Sequence, residues 1–441
     1  MDRRTLIRSI EDVVGNRRLV WVGLRGDDAE PLSDLTQFHS AFSLFSRYDQ
    51  RVGVRSRAYE DISGHRVDPE TWDIDDHLGT EATRQFRNDL LRALSADSLV
   101  VPYRPSQFLS AILFARSTRC QPLGVFGALQ SALEHKPWVE THVGRLEIPR
   151  VEWRYIADEE QLSAASLFPD GPLMVRRSRT SGGEGLTFVN GPDELVGQWP
   201  KIDEAFASIA PYVEGTPVNV GAVVWNDDVT VHHASVQLIG IEHLVTRRFG
   251  YCGNDFGAAR DLSPEVLDGI ESATKKIGGW LRSHGFRGAF GVDFLVHDGR
   301  ALFLEVNPRF QGSTHASAQL DAEADESCLV LEHVAAWLDI PAPRSRPLRE
   351  QARDAPDLSH LVVHWPGPSS AVDASRLVET LRNHAGTARI ELVPEPRIIC
   401  EEGSAVLRWT VRSRATTTGY DLLPDIEGLD VRLVEPVENR R

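Results

Sequence analysis

The stretch from Gly288 to Arg309 constrains this chain more than any other. Two runs, Gly288 to Val296 and Ala301 to Val306, alternate like strands and are joined by a turn. On the first, Phe290, Val292, Phe294 and Val296 form an apolar face, and Asp293 shares the other face with the small residues Ala289 and Gly291. On the second, Glu305 and Asn307 point one way, and Leu304 and Val306 are expected to point into the core. Paired residues of an antiparallel hairpin share a face. A plain two-residue Asp298-Gly299 turn would pair Asp293 with Leu304 and separate the two acids. The pattern therefore predicts a three-residue turn, His297-Asp298-Gly299, with Gly299 left-handed. Two carboxylates and an amide oxygen gathered this way are hard donors that suit Mg²⁺, with Mn²⁺ as an alternative. Arg309, just past the strand, has the planar fork that pairs with phosphate or carboxylate oxygens. The bland reading, solvated acids on an exposed sheet face, is weakened by a glycine-dense loop upstream.

Bulk properties narrow the partners. The chain has 441 residues, with 64 acids against 48 bases and a formal net charge of −16. Only four of the bases are lysine (Lys136, Lys201, Lys275 and Lys276). The acidic balance argues against nucleic-acid or anionic-membrane partners, although a local basic pocket remains compatible with it. No apolar run reaches the length of a membrane span. The opening Met1-Asp2-Arg3-Arg4 leads into charged, periodic sequence rather than a secretory signal. Cys120, Cys252, Cys328 and Cys400 are scattered without metal-like spacing, so the expectation is a reduced, cytoplasmic chain.

The organisation reads as α/β and α+β in several domains. Strands are expected over Arg18 to Gly23, Gln50 to Arg57 and up to Val100-Val101-Pro102, with a helix opening at Phe108. Gly23-Leu-Arg-Gly26 lacks the third glycine of a dinucleotide fingerprint and reads as a plain tight turn. A helix ends at Gly144, and a strand follows around Val151 to Ile156. Pro172 to Val175 and Leu186 to Val189 flank the loop Arg176 to Gly185. Val218 to Val224 and Val229 to Leu238 continue the β pattern. Ser263-Pro264 starts a helix with apolar residues at Val266, Ile270, Ala273, Ile277 and Leu281. Pro341 to Pro347 reads as a linker into a small α+β appendage. The expected units are an N-terminal α/β domain (1–130), a small lid (131–210), a larger subdomain with the metal site (211–342) and the appendage (343–441).

In this arrangement the chain resembles the ATP-grasp superfamily. Asp293…Glu305-Val-Asn307-Pro-Arg309 is similar to its acid, acid, amide metal signature, and Arg176 to Gly185 to its phosphate-covering loop. Lys136 lies where the family places a first nucleotide-binding lysine, ahead of Gly144-Arg-Leu-Glu-Ile-Pro149. Pro211-Tyr-Val-Glu-Gly215 is similar to the hinge whose backbone holds adenine. The resemblance spans about Lys136 to Leu338, and it implies the following roles. Asp293, Glu305 and Asn307 hold Mg²⁺; Lys136, Arg176, Ser181, Gly182, Gly183, Glu184, Gly185, Tyr212, Val213 and Glu214 bind ATP; Arg309 is catalytic, stabilising an acyl phosphate. Three positions depart from the pattern: the second lysine falls on Arg176, and two hinge acids fall on Ala210 and Pro217, leaving Glu214 as a substitute.

The activity so implied is a ligase joining a small-molecule carboxylate to an amino-acid or peptide amine through an acyl phosphate. Asn307 to Ser313 is most similar to amino-acid and peptide ligases of natural-product biosynthesis. Alternatives are a bicarbonate-activating carboxylase or synthetase and a nucleotide-binding protein without turnover. Homo-oligomerisation stays open. Gly312-Ser-Thr314 is expected to open a helix, with an N-cap role for the hydroxyls as the plain alternative to substrate binding. Arg247 to Gly257 with Arg260 suits a substrate loop, and His232, His233 and His315 are read as structural.

Overall fold

A computed structural model describes residues 2–94, 97–110, 120–157, 171–177, 182–183, 185–191, 194, 206–426 and 431–437. Four sheets organise these residues. The N-terminal sheet is wholly parallel, in the order Arg55–Ala58, Phe38–Phe45, Arg18–Arg25, Ser98–Pro102, Cys120–Pro122. Helix Arg3–Val14, capped by the Asp2 side chain on the Thr5 N–H, buries Leu6, Ile10 and Val14 against it. A small antiparallel lid sheet follows, in the order Arg154–Ala157, Phe206–Pro211, Leu173–Arg176, Leu186–Val189.

The third sheet has eight antiparallel strands: Arg300–Asn307, Gly288–His297, Thr216–Val224, Val229–Ile239, Tyr251–Asp255, Ser359–His364, Ala405–Val411 and Thr387–Glu391. Helix Pro264–Ser283 covers one face. Ser263 caps it by accepting from the Val266 N–H, Pro264 opens its first turn, and Ile270, Ile277 and Leu281 pack with Val220, Val292 and Phe294. Helix Leu329–Trp337 joins the large sheet to the N-terminal one: Val330 and Val334 share a core with Leu19, Trp21 and Val223.

Several expectations change here. The strand Phe38–Phe45, with serines among its apolar residues, is absent from the sequence-based reading and lies almost wholly buried inside the parallel sheet. The strand expected over Gln50 to Arg57 is four residues long, Arg55–Ala58, and Arg18 continues its strand through Arg25, so Gly23, Leu24 and Arg25 are strand and only Gly26 lies past its end. The region after Pro347 divides between two sheets: Ser370–Asp373, Ile399–Cys400 and Glu435–Pro436 form a small sheet with His65–Arg66, and the other strands do not. Ser359–His364 and Ala405–Val411, every residue buried, extend the large sheet. They are also tied to the N-terminal domain by Arg408, which is 1% exposed and donates to Asp28 and Glu391, each at 3.0 Å. The helix expected at Phe108 begins as a single 3₁₀ turn, Gln107–Leu109, and most of its continuation lies outside the described residues. The four cysteines are free thiols, and among the described residues no helix is long and apolar enough to cross a membrane.

Candidate active site

The hairpin that carries the acids is built differently from its predicted form. His297 pairs directly with Arg300, so the turn is the two-residue Asp298-Gly299, with φ of 46° and 70°. This is the double left-handed geometry that fits strand twist and favours Asp-Gly. The register then runs regularly to Phe294 opposite Phe303 and shifts by one, so that Asp293 stands opposite Glu305. The extra residue is therefore an internal bulge at Leu304 rather than in the turn. The bulge has two effects: the acids meet on one face, and Leu304, expected in the core, lines the cleft instead. Phe303 and Val306 take the core positions.

Asp293 accepts hydrogen bonds from Gln311 Nε2 at 3.1 Å, Asn307 Nδ2 at 3.1 Å and Gln237 Nε2 at 3.4 Å. Glu305 accepts from Asn307 Nδ2 at 3.3 Å and from Lys136 Nζ. Burial, and then the neighbouring Glu305, push the Asp293 carboxyl well above the usual range. Burial alone would raise Glu305 too, but Lys136, Arg176 and Arg309 outweigh it and hold Glu305 low. Gly291 is needed for this arrangement. A Cβ there would fall 1.9 Å from the Gln311 side chain, so the room left by the small residue is filled by the amide that reaches Asp293. Behind it, Asn219 donates to Ser313 Oγ at 2.9 Å and accepts from Ser235 Oγ at 2.6 Å and Asn254 Nδ2 at 3.0 Å.

The expected nucleotide residues converge on the same cleft, whose cavity is about 290 Å³. Lys136 opens helix Lys136–Val143 and pairs with Glu305. Arg176 ends its strand 3% exposed. Its guanidinium lies 3.8 Å from the Trp153 ring centre and donates to Glu140, which also accepts from Tyr155 Oη at 2.8 Å. Gly182, Gly183 and Gly185 have φ of 51°, 81° and 70°, the left-handed region where side chains are strained. At Gly183 a Cβ would meet the Phe249 carbonyl oxygen at 1.9 Å, which fixes a glycine there. Ser181 and Glu184 lie outside the described residues. Tyr212 and Val213 line the cleft, as does Pro217. Glu214 is exposed and does not line it, so its side chain is not placed for the role vacated by Ala210 and Pro217. Arg309 lines the cleft beside the acids, with Nη1 donating to the Phe310 carbonyl at 3.1 Å.

Other expectations divide. In the segment read as a substrate loop, Phe249 and Tyr251 line the cleft, but Tyr251 starts a strand. Arg248 stacks on Phe188, Arg247 pairs with Asp68, and Arg260 turns away to Asp357. Helix Thr314–Glu323 does begin after Ser313. The Ser313 side chain makes no cap bond and serves Asn219, and Thr314 Oγ1 accepts from the Gln311 N–H at 3.0 Å. His232 and His233 sit against Asp321 and Glu332, and His315 lies 3.3 Å from Glu391. The residues missed are Gln237, Gln311, Glu140 and Trp153. Gln237 had a legible signal, since it continues the polar alternation of His233 and Ser235 along an otherwise apolar strand.

Comparison with known proteins places the fold. Residues 145–313 match the family model of the ATP-grasp domain. The chain is 26% identical over 280 residues to the formate-dependent phosphoribosylglycinamide formyltransferase of Mycolicibacterium smegmatis, a match covering 59% of this chain and 65% of that one. It superposes with a TM-score of 0.60 on carboxyaminoimidazole ribonucleotide synthase from Aspergillus clavatus, solved in complex with ATP, at 15% identity over 95% of this chain and 97% of that one. The biotin carboxylase domain of the 2-oxoglutarate carboxylase from Hydrogenobacter thermophilus, solved with MgADP and bicarbonate, gives 0.59 at 12% identity over 90% and 86%. The chain therefore has the ATP-grasp fold, with the domain match over residues 145–313.

Proposed function

We propose that this chain is an ATP-dependent carboxylate–amine ligase that forms an amide through an acyl phosphate. The observation that carries the reading is the bulge at Leu304, which sets Asp293 and Glu305 face to face beside Asn307, Lys136 and Arg309 in one cleft. Two carboxylates facing each other, one of them buried, repel when both are charged, and a divalent ion between them would relieve that repulsion, so the donor set fits such an ion. Asp293, Glu305 and Asn307 would hold Mg²⁺ or Mn²⁺. When bound, the ion supplies charge neutralisation for the phosphoryl oxygens. Lys136 and Arg176 supply cationic charge to the phosphates, and the backbone at Gly182, Gly183 and Gly185 approaches them closely. Ser181 and Glu184 belong to the same loop in this reading, and Tyr212, Val213 and the Glu214 backbone form the adenine side.

The reaction balances as follows. An oxygen of the substrate carboxylate bonds to the γ-phosphorus while the bond to ADP breaks. The amine nitrogen then bonds to the acyl carbon, phosphate leaves with the carbonyl restored, and the proton lost from nitrogen goes to the departing phosphate. Arg309 stabilises the negative charge that develops on the acyl oxygens. Substrates drawn from peptide natural-product (antibiotic) biosynthesis agree with the Asn307 to Ser313 run, which resembles the peptide ligase of pheganomycin biosynthesis. A cytoplasmic setting agrees with the free thiols. Bicarbonate activation is the second reading, favoured by the similarity to a biotin carboxylase domain solved with bicarbonate.

Incubation with Mg-ATP and panels of acids and amines separates these readings. ADP and phosphate that require both acid and amine are the expected result, and release on bicarbonate alone favours the second reading. No nucleotide turnover with any panel overturns both. Glu305→Ala is expected to abolish turnover with the fold intact, and near-wild-type activity removes Glu305 from the metal set.

A further inference from the structure

The hinge side of the cleft is apolar. Pro211, Val213, Pro217, Ile239 and Leu295 line it, and the exposed Glu214 side chain does not. One further side chain comes to the cleft from the region after Pro347, Tyr420. Its ring is 45% exposed, and of the large apolar side chains left exposed among the described residues it alone borders the cleft. A ring so placed offers apolar area that a bound molecule would cover.

The turn that presents Tyr420 is fastened to the cleft wall. The Gly419 carbonyl accepts from the Ile239 N–H at 2.8 Å. Gly419 has φ of 92°, and a Cβ there would fall 2.4 Å from the Gln237 carbonyl oxygen and 2.9 Å from the Pro217 ring, so glycine lets the turn lie this close. Gln237, Ile239 and Pro217 are themselves cleft residues, which places the Tyr420 backbone against the hinge side. The turn is also braced internally. Asp421 accepts from Thr416 Oγ1 at 2.6 Å and Thr418 Oγ1 at 2.9 Å, and Thr416 Oγ1 accepts from the Gly419 N–H at 2.8 Å. Just before it, the buried Asp255 accepts from the N–H groups of Ala415 and Thr416, at 2.7 and 3.1 Å. A ring carried on a backbone ordered beforehand loses little freedom when a ligand covers it.

We propose that the region after Pro347 completes the nucleoside side of the ATP site and that the Tyr420 ring packs on the base. Walls of proline and aliphatic side chains with one presented ring suit a flat heteroaromatic group, which stacks on an aromatic face. The inference rests on the ATP assignment of the ligase reading and adds a task for the last part of the chain. It makes Tyr420 a positioning residue that holds the nucleoside, apart from the residues that hold metal and phosphates.

The test is calorimetric binding to the full chain of MgADP and of Mg-pyrophosphate, which lacks the nucleoside. Tyr420→Ala is expected to weaken MgADP binding about tenfold, within the range of one base–aromatic stack, and to leave Mg-pyrophosphate binding and the urea midpoint unchanged. Tyr420→Phe keeps the ring and should bind MgADP within about twofold of the wild type. Tyr420→Leu, which loses the flat face, should also weaken MgADP binding and serves if Tyr420→Ala fails to fold. An unchanged MgADP affinity in Tyr420→Ala, an equal loss for both probes, or a loss in Tyr420→Phe as large as in Tyr420→Ala overturns the proposal. Absence of MgADP binding by the wild type overturns it together with the ligase reading. A loss confined to MgADP, in a chain that turns over no pair of acid and amine, counts against the ligase reading alone.

Discussion

His232 lies on strand Val229–Ile239, 6% exposed, between two carboxylates. Its Nε2 is 3.2 Å from Glu332 and its Nδ1 3.5 Å from Asp321, while His233 Nε2 lies 3.1 Å from Asp321. Thr230 and Ser327 donate to Glu332 at 2.6 and 2.5 Å. The carboxylates belong to helices Thr314–Glu323 and Leu329–Trp337, so one imidazolium ties both helices to the large sheet. Burial opposes the charge, but Glu332 and Asp321 outweigh it and raise the pKa to about 10. The folded value lies above the unfolded value near 6.5, so the contribution is complete below about pH 6.5 and is lost as pH rises through 10. A shift of this size corresponds to about 5 kcal/mol, lost at about 1.4 kcal/mol per pH unit. Urea unfolding of the wild type and of His232→Gln, followed by tryptophan fluorescence, measures it. The wild type should be more stable by about 3–5 kcal/mol at neutral pH, because the variant leaves buried carboxylates unpaired. The gap should shrink by about 3 kcal/mol between about pH 7 and pH 9.5. A gap independent of pH across that window would falsify the reasoning, since it would mean that His232 is neutral in the folded chain.

Two further outcomes follow from particular contacts. Arg408→Met removes the cation that Asp28 and Glu391 share, leaving Asp28 to Arg25 and Glu391 to Arg389 and His315, and should cost about 3 kcal/mol in urea unfolding, the low end for breaking a buried pair. A cost below about 1 kcal/mol, the value of a surface pair, would refute that role. Gly291→Ala should push Gln311 off Asp293 and weaken Mn²⁺ binding about 10–100-fold, as loss of an outer partner of a metal ligand does. Calorimetric titration with Mn²⁺ checks this, and an unchanged affinity would show that the amide contributes nothing.

Much of the site was legible because its signals are local. Asp293, Glu305 and Asn307 announce themselves by strand alternation, and the requirement that the acids share a face predicts one residue too many somewhere in the hairpin. The place of that residue was not legible. Asp298-Gly299 makes a favourable two-residue turn by itself, so the surplus moved to Leu304, where the core accepts Phe303 and Val306 instead. The hinge was harder. Pro211 to Gly215 is a short polar segment, and nothing in it states that the Glu214 side chain turns to solvent.

The sequence by itself singled out candidates for metal and phosphate chemistry and determined where the long helix Pro264–Ser283 begins and which strands carry an apolar face, because caps, alternation and glycine content depend on near neighbours in the chain. Tertiary structure alone decided three things. It put Ser359–His364, Thr387–Glu391 and Ala405–Val411 into the large sheet, with Arg408 bonded to an acid 380 residues away. It gave Lys136 to Glu305 and Arg176 to Glu140. It brought Tyr420 to the cleft. The physical reason is the same for the ion pairs. A buried charge is placed by whichever opposite charge the fold brings within a few ångströms, and separation along the chain does not encode that distance.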